Sequence, residues 1–152
     1  QNRRYLPVAT MDPGTIISNK VYGAVDPSGF IFAIASSSMF ITWMKTVGGR
    51  LKSDISFSST ITWNNFPLPD LDETTKKRIA DAGKKVLIAR AEFPDRSLAQ
   101  LYSARIMEPK LIKAHDALDR EVDKAFGAPR KLTTERQRRE LLFSNYAKLT
   151  NN

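Results

Sequence analysis

From Lys52 to Trp63 the chain keeps a two-residue rhythm. Ile55, Phe57, Ser59, Ile61 and Trp63 occupy odd positions, while Lys52, Asp54, Ser56, Ser58, Thr60 and Thr62 occupy even ones. Alternation of this length predicts a strand with one face on a core and the other open to solvent or a ligand. The rhythm stops at "NNFPLPDLD", because proline cannot donate to a ladder and holds the backbone extended. Beyond it the pattern is helical. The spacing therefore predicts an α+β chain: a β-rich module over 1–66 with one short helix, then a helical C-terminal bundle over 67–152.

Upstream, "RRYLPVA" and "TIISNKVYGAV" are rich in Val, Ile and Tyr and are separated by a Met-Asp-Pro-Gly turn, which marks both as strand candidates. "VDPSGF" reads as a second turn and "FIFAIA" as a buried strand. "SSSMFITWMKTVGG" reads as the short helix, with serine caps at 36–38 and a stop at Gly48 and Gly49. Downstream, Asp70 or Asp72 can cap a helix carrying Ile79, Ala82, Val86 and Ala89 at helical spacing. Pro94 ends it, and another helical stretch starts near Ser97. Pro109 suits the first turn of a helix whose stripe is Leu111, Leu118, Val122 and Ala125, with Gly127 as its stop. Thr134 and Gln137 form a capping box for the last helix.

Several kinds of chemistry are excluded. The 152 residues contain no cysteine and one histidine, so a disulfide framework, a thiolate site and a histidine-based zinc site are all ruled out. No glycine-rich phosphate loop occurs. "NNFPLP" has the wrong residue order to match the Asn-Pro-Pro-aromatic motif of amino-methyltransferases. Asp116, Asp119, Glu121 and Asp123 sit among Arg120 and Lys124 and read as a solvated, salt-bridged helix face rather than a metal site. His115 reads as a packed or surface histidine. The longest apolar run, "GFIFAIA", is too short to cross a bilayer, so no membrane association is expected. The first residue is Gln, and the chain reads as a piece of a longer protein.

The charge is what remains. At +8 and with an isoelectric point near 9.9, the chain favours polyanionic partners, nucleic acid above all. Arg130, Lys131, Arg136, Arg138 and Arg139 form a dense patch at the start of the last helix. "GGRLKSD" places Arg50 and Lys52 beside Asp54. Each group reads as a solvated face or a structural ion pair on one side, and as a phosphate- or base-contacting surface on the other.

The stretch "SSSMFITWMKTVGGRLKSDISFSSTITWNNFPLP" resembles the end of the target recognition domain of the MmeI-type (type IIL) single-chain restriction-modification enzymes. Their pattern is a Ser-Ser-Ser-Met helix, a Gly-Arg-Leu-Lys-Ser-Asp strand entry and a Tyr-Asn-x-Phe-Pro-x-Pro exit. "SLAQLYSARIMEPKLIKAHDALDREVDKAFG" is similar to the family's C-terminal helical domain. Trp63 stands where Tyr is usual and Leu68 where Trp is common, and a proline often found before the Met-Pro segment is missing from "LYSARIMEPKL".

This resemblance implies a sequence-specific DNA-recognition module of a bacterial, cytoplasmic enzyme. The parent would join an endonuclease region to an S-adenosylmethionine-dependent adenine-N6 methyltransferase, with Mg for cleavage. No cofactor or metal is expected on this piece, which alone would be no enzyme. Its partners would be double-stranded DNA and the methyltransferase domain of the same chain. The resemblance places base-reading residues at Lys52, Asp54 and Ser56, and on an earlier strand at Asn19 and Lys20. The two-residue spacing independently puts 52, 54 and 56 on one face. Backbone contacts would fall to Arg50, Arg130, Lys131, Arg136, Arg138 and Arg139. The competing reading is a non-catalytic interaction module for an acidic protein or RNA.

Overall fold

A computed structural model describes residues 3–51 and 54–151. Its regular structure is almost entirely helical, about half of the chain, and the expectation of a β-rich first module is overturned. The order is α1 (Phe30–Ala35), α2 (Ser38–Val47), β1 (Arg50–Leu51), β2 (Asp54–Ile55), a π-helical turn (Ser59–Trp63), α3 (Glu73–Ala91), α4 (Leu98–Leu101), α5 (Pro109–Ala125) and α6 (Glu135–Thr150). Among the described residues, β structure is confined to the antiparallel pairing of β1 with β2, with Arg50 opposite Ile55 and Leu51 opposite Asp54.

The alternating stretch fails as a strand because its polar residues bond the backbone locally. Ser58 Oγ accepts from the Ile61 amide at 3.2 Å, and the Ser58 amide donates to Thr62 Oγ1 at 3.1 Å. Asn65 Nδ2 donates to the carbonyls of Thr60 and Ile61. Short polar side chains that satisfy nearby backbone groups compete directly with a ladder. The chain coils into a π-turn instead, with Thr62 buried and Ile61 left 52% exposed.

"FIFAIA" fails as a strand for a related reason. Asp26 Oδ2 accepts from the Phe32 amide at 2.8 Å and Ser28 Oγ from the Phe30 amide at 3.2 Å, so the preceding turn satisfies first-turn donors and starts α1. Residues 3–9 and 15–25, the other strand candidates, are irregular, and everything from Ala9 to Val25 is exposed.

The helical readings hold. Ser37 caps α2 and Asp72 caps α3, while Pro109 opens α5 at its first turn. The Thr134–Gln137 capping box starts α6. Gly127 takes a φ of 95° just after α5, a conformation costly for residues with a Cβ. The core is continuous: Phe32, Met39 and Trp43 from α1 and α2 pack with Ile79, Val86, Leu111, Leu118, Val122 and Leu142 from α3, α5 and α6. Burying each such side chain is worth about 1.5–3 kcal/mol. Gly83 lets α1 and α3 touch, since a Cβ there would lie 2.7 Å from Ala33 Cβ.

Candidate nucleic-acid interface

The hairpin of β1 and β2 projects from the C-terminal end of α2. The Gly48 amide donates to Met44 O at 2.9 Å, and the Ser56 amide donates to Gly49 O at 2.9 Å, extending the ladder to the base of the hairpin. A side chain at Gly48 would strike Met44 O at 2.3 Å, so the exit from α2 requires glycine. The register alters the expected arrangement of readers. Leu51 pairs antiparallel with Asp54, so residues 50–56 do not form the single continuous strand on which 52, 54 and 56 were expected to share a face. Lys52, with Ser53, lies outside the described residues. Ser56 is exposed at the hairpin base.

Asn19 and Lys20 occupy an exposed turn closed by the Val21 amide on Ser18 O at 3.1 Å, not a strand. That turn is held near the hairpin by Tyr22, whose ring meets Phe57 edge-on at 4.8 Å. Phe57 in turn lies 6.3 Å from Phe40 of α2. These ring contacts bring the exposed turn that carries Asn19 and Lys20 beside Phe57, just after the second strand of the hairpin.

The basic patch divides. Arg130, Lys131, Arg136 and Arg139 are exposed, with Arg136 held 3.1 Å from Glu140 one turn along α6. Lys45 near the end of α2 pairs with Glu135 at the start of α6, which draws this patch toward the hairpin's root. Arg138 is placed elsewhere: it is buried and forks onto Asp123, Nε to Oδ1 at 2.9 Å and Nη2 to Oδ2 at 2.7 Å.

The acidic face is not wholly solvated. Asp119 and Asp123 are buried, whereas Asp116 meets Arg4 at 2.9 Å near the surface. Asp119 accepts from the Ser38 amide at 2.7 Å and from Ser38 Oγ at 2.5 Å, and its Oδ2 lies 3.9 Å from Arg138 Nη2. Burial pushes the Asp119 carboxyl up to about 6, against the opposing pull of the Ser38 hydrogen bonds and the Arg138 charge. Asp123 is also raised by burial, with Arg138 counteracting.

His115 is fully buried. Its ring stacks on Tyr5 at 4.0 Å, and Nε2 lies 2.7 Å from Tyr102 Oη. Tyr102 Oη accepts from Arg90 Nε at 2.8 Å, so its proton is free to go to His115. Burial, and after it the charge of Arg90, lower the histidine to about 3, which keeps it neutral. Arg90 also donates to Val8 O at 2.6 Å and faces the rings of Phe32 and Tyr102. Sequence reasoning missed Ser38, Arg90 and Tyr102 as members of buried polar networks. A serine at the first helical position and an arginine on an otherwise apolar helix stripe were the available signals. Among the described residues, no group of three metal-ligating side chains is close enough to hold an ion, and no helix is long and apolar enough to cross a membrane.

A helical scaffold carrying a short two-stranded projection, an adjoining exposed arm and a neighbouring basic patch has the form of a module that recognises another macromolecule. Residues 1–70 match the target recognition domain of MmeI and residues 71–152 match its C-terminal domain, so the chain belongs to the MmeI family. It is 34% identical over 150 residues to DNA methyltransferase A of Bacillus subtilis (strain 168), covering 99% of this chain and 17% of that protein. Its fold is similar to that of the type IIL restriction-modification enzyme MmeI, solved in complex with DNA, at a TM-score of 0.77 and 39% identity. That match covers 82% of this chain and 16% of the MmeI chain. The chain thus spans about one sixth of the length of either relative.

Proposed function

We propose that this chain is the DNA sequence-reading end of a restriction-modification methyltransferase, with residues 1–66 presenting the reading surface and 67–152 forming the helical support. The observation that supports it most is the ordered pair of family matches over the whole chain, joined to likeness with an enzyme solved on DNA. The parent enzyme would be cytoplasmic and would transfer a methyl group from S-adenosylmethionine to adenine N6, with Mg-dependent cleavage where an endonuclease region is present.

In this reading the hairpin enters the major groove, which admits a two-stranded β-ribbon. Lys52 donates to guanine O6 and N7, and Asp54 accepts from cytosine N4, so that together they read one G·C pair. Ser56, Asn19 and Lys20 contact neighbouring base edges. Arg50, Arg130, Lys131, Arg136 and Arg139 meet phosphates and fix the register. Arg138 carries no phosphate in this scheme, because its guanidinium is already bound inside the fold.

The test is a map of methylated adenines produced by the full-length enzyme carrying Lys52→Glu with Asp54→Arg. Donor and acceptor exchange places in this variant, so one G·C pair of the recognition sequence should become C·G. Each reader facing the wrong base should cost about 1–3 kcal/mol of discrimination. An unchanged recognition sequence would overturn the assignment of these residues as readers.

A further inference from the structure

We propose that Asp119 is a positioning residue for DNA reading: from the helical support it pins the first turn of α2 and so sets the aim of the hairpin that α2 carries. This rests on the function proposed above. Three observations lead to it.

The first is the bond itself. Asp119 of α5 takes both donors of Ser38, amide and hydroxyl, at the first position of α2. The Ser38 amide is one of the first-turn donors that no helix can satisfy internally. A carboxylate from a distant helix does so here, at the end of α2 where the helix dipole favours negative charge.

The second is the far end of α2. Lys45 pairs with Glu135 of α6, and after Val47 the backbone passes through Gly48 and Gly49 straight into β1. No flexible linker intervenes: Gly48 still bonds back to Met44 O, and Gly49 O already takes the Ser56 amide. The hairpin therefore inherits its direction from α2.

The third is leverage. α2 has ten residues, Ser38–Val47, so it is about 15 Å long at about 1.5 Å per residue. A tilt of about 10° at that length moves the far end by about 2.6 Å, far outside the few tenths of an ångström that a hydrogen bond to a base edge tolerates. Asp119 is itself anchored, since Arg138 of α6 sits 3.9 Å away while forking onto Asp123, one turn further along α5. The C-terminal helices thereby contribute to sequence reading without touching a base.

The experiment uses the full-length methyltransferase and compares Asp119→Ala, Asp119→Asn and Ser38→Ala, measuring kcat and KM on the cognate site and on sites altered at one base pair. Asp119→Ala should raise the KM for cognate DNA roughly tenfold or more with kcat nearly unchanged, and should narrow the gap between cognate and altered sites. Asp119→Asn retains an acceptor for the Ser38 amide and should restore most of the wild-type KM, while Ser38→Ala should fall between the two.

A merely structural role predicts something else. Less enzyme would fold, kcat per total protein would drop, KM and discrimination would stay put, and Asn would rescue nothing in KM. That pattern, in whichever of the variants fold, overturns the proposal. Failure of the underlying function is separable. If the exchange at Lys52 and Asp54 alters the recognition sequence while Asp119→Ala leaves KM unchanged, only the positioning role falls. If that exchange alters nothing, the hairpin is not the reader and the positioning role falls with it.

Discussion

Arg138 and Asp123 are joined by two parallel hydrogen bonds, 2.9 and 2.7 Å long, inside the junction of α5 and α6. Both side chains are nearly inaccessible, at 10% and 5% exposure. Removing one member of such a pair strands a buried charge, and Asp119 next to it would be deprived of its nearest cation as well. Arg138→Ala is therefore expected to lower the unfolding free energy by about 3–5 kcal/mol. Arg136→Ala, two residues away on the exposed side of α6, should change it by no more than about 0.5 kcal/mol. Urea denaturation of the two variants makes the comparison. Equal effects would mean that the fork is not the buried pair described.

Asp119 makes stability depend on pH in an unusual direction for a carboxylate. Its folded value, about 6, lies above the ordinary 3.8, so the folded state holds the proton more tightly than the unfolded chain. The stabilisation is complete below the unfolded value and is lost as pH rises through the folded one. At about 1.36 kcal/mol per pH unit the effect has a ceiling of about 3 kcal/mol. Asp119→Asn removes the titration. Between about pH 4 and pH 6 the wild type should lose stability relative to this variant, and chemical denaturation across that window reads the difference. Parallel curves would place the carboxyl in water.

His115 works the other way. Lowered from 6.5 to about 3, it must stay neutral to remain buried, so its contribution is present above about pH 6.5 and is lost as pH falls toward 3. In the wild type the two slopes oppose each other between about pH 4 and pH 6, which should flatten the overall acid profile. His115→Gln costs stability at every pH by disturbing the stack on Tyr5 and the bond to Tyr102. Its diagnostic is the slope: between about pH 4 and pH 6 the Asp119 effect is left unopposed, so relative to wild type the variant should gain up to about 1.4 kcal/mol of stability for each pH unit of acidification. A variant as acid-sensitive as the wild type would show that another group carries the effect.

These networks also show how far the sequence could be read. Helix ends were legible wherever a local signal sufficed, as at Asp72, Pro109, and Thr134 with Gln137, because caps act over three or four residues. Residues 55–63 misled because two-residue alternation signals a strand only if a partner strand and a flat face exist. Here Phe57 and Trp63 pack against Phe40 from a coiled backbone, and serine, threonine and asparagine supply the hydrogen bonds a ladder would have given. "FIFAIA" was short and apolar enough to suit either state, and the decision fell to Asp26 and Ser28 outside it. The buried roles of Asp119 and Arg138 depend on partners 81 and 15 residues away in sequence, which no local pattern carries. What the chain resembles was nonetheless visible, because the motifs at 36–69 and 97–127 are strings of residues rather than shapes.

The exposed cations around the start of α6 lead to the last expectation. Arg130 and Lys131 precede the helix and Arg136 and Arg139 lie in its first turns, all four open to solvent. The Lys45–Glu135 tie keeps this end of α6 beside the helix that carries the hairpin. A phosphate contact releases counterions, so each one adds about 0.9 to the steepness of log affinity against log salt on duplex DNA. In the full-length enzyme, Lys131→Ala and Arg139→Ala should each flatten that slope by about one unit and weaken cognate and unrelated duplexes alike, because phosphates carry no base information. Arg136→Ala should do less, since Glu140 already offsets its charge at 3.1 Å. Fluorescence anisotropy over a salt series supplies the slopes. If all three variants keep the wild-type slope, the patch is a solvated helix face and makes no phosphate contact.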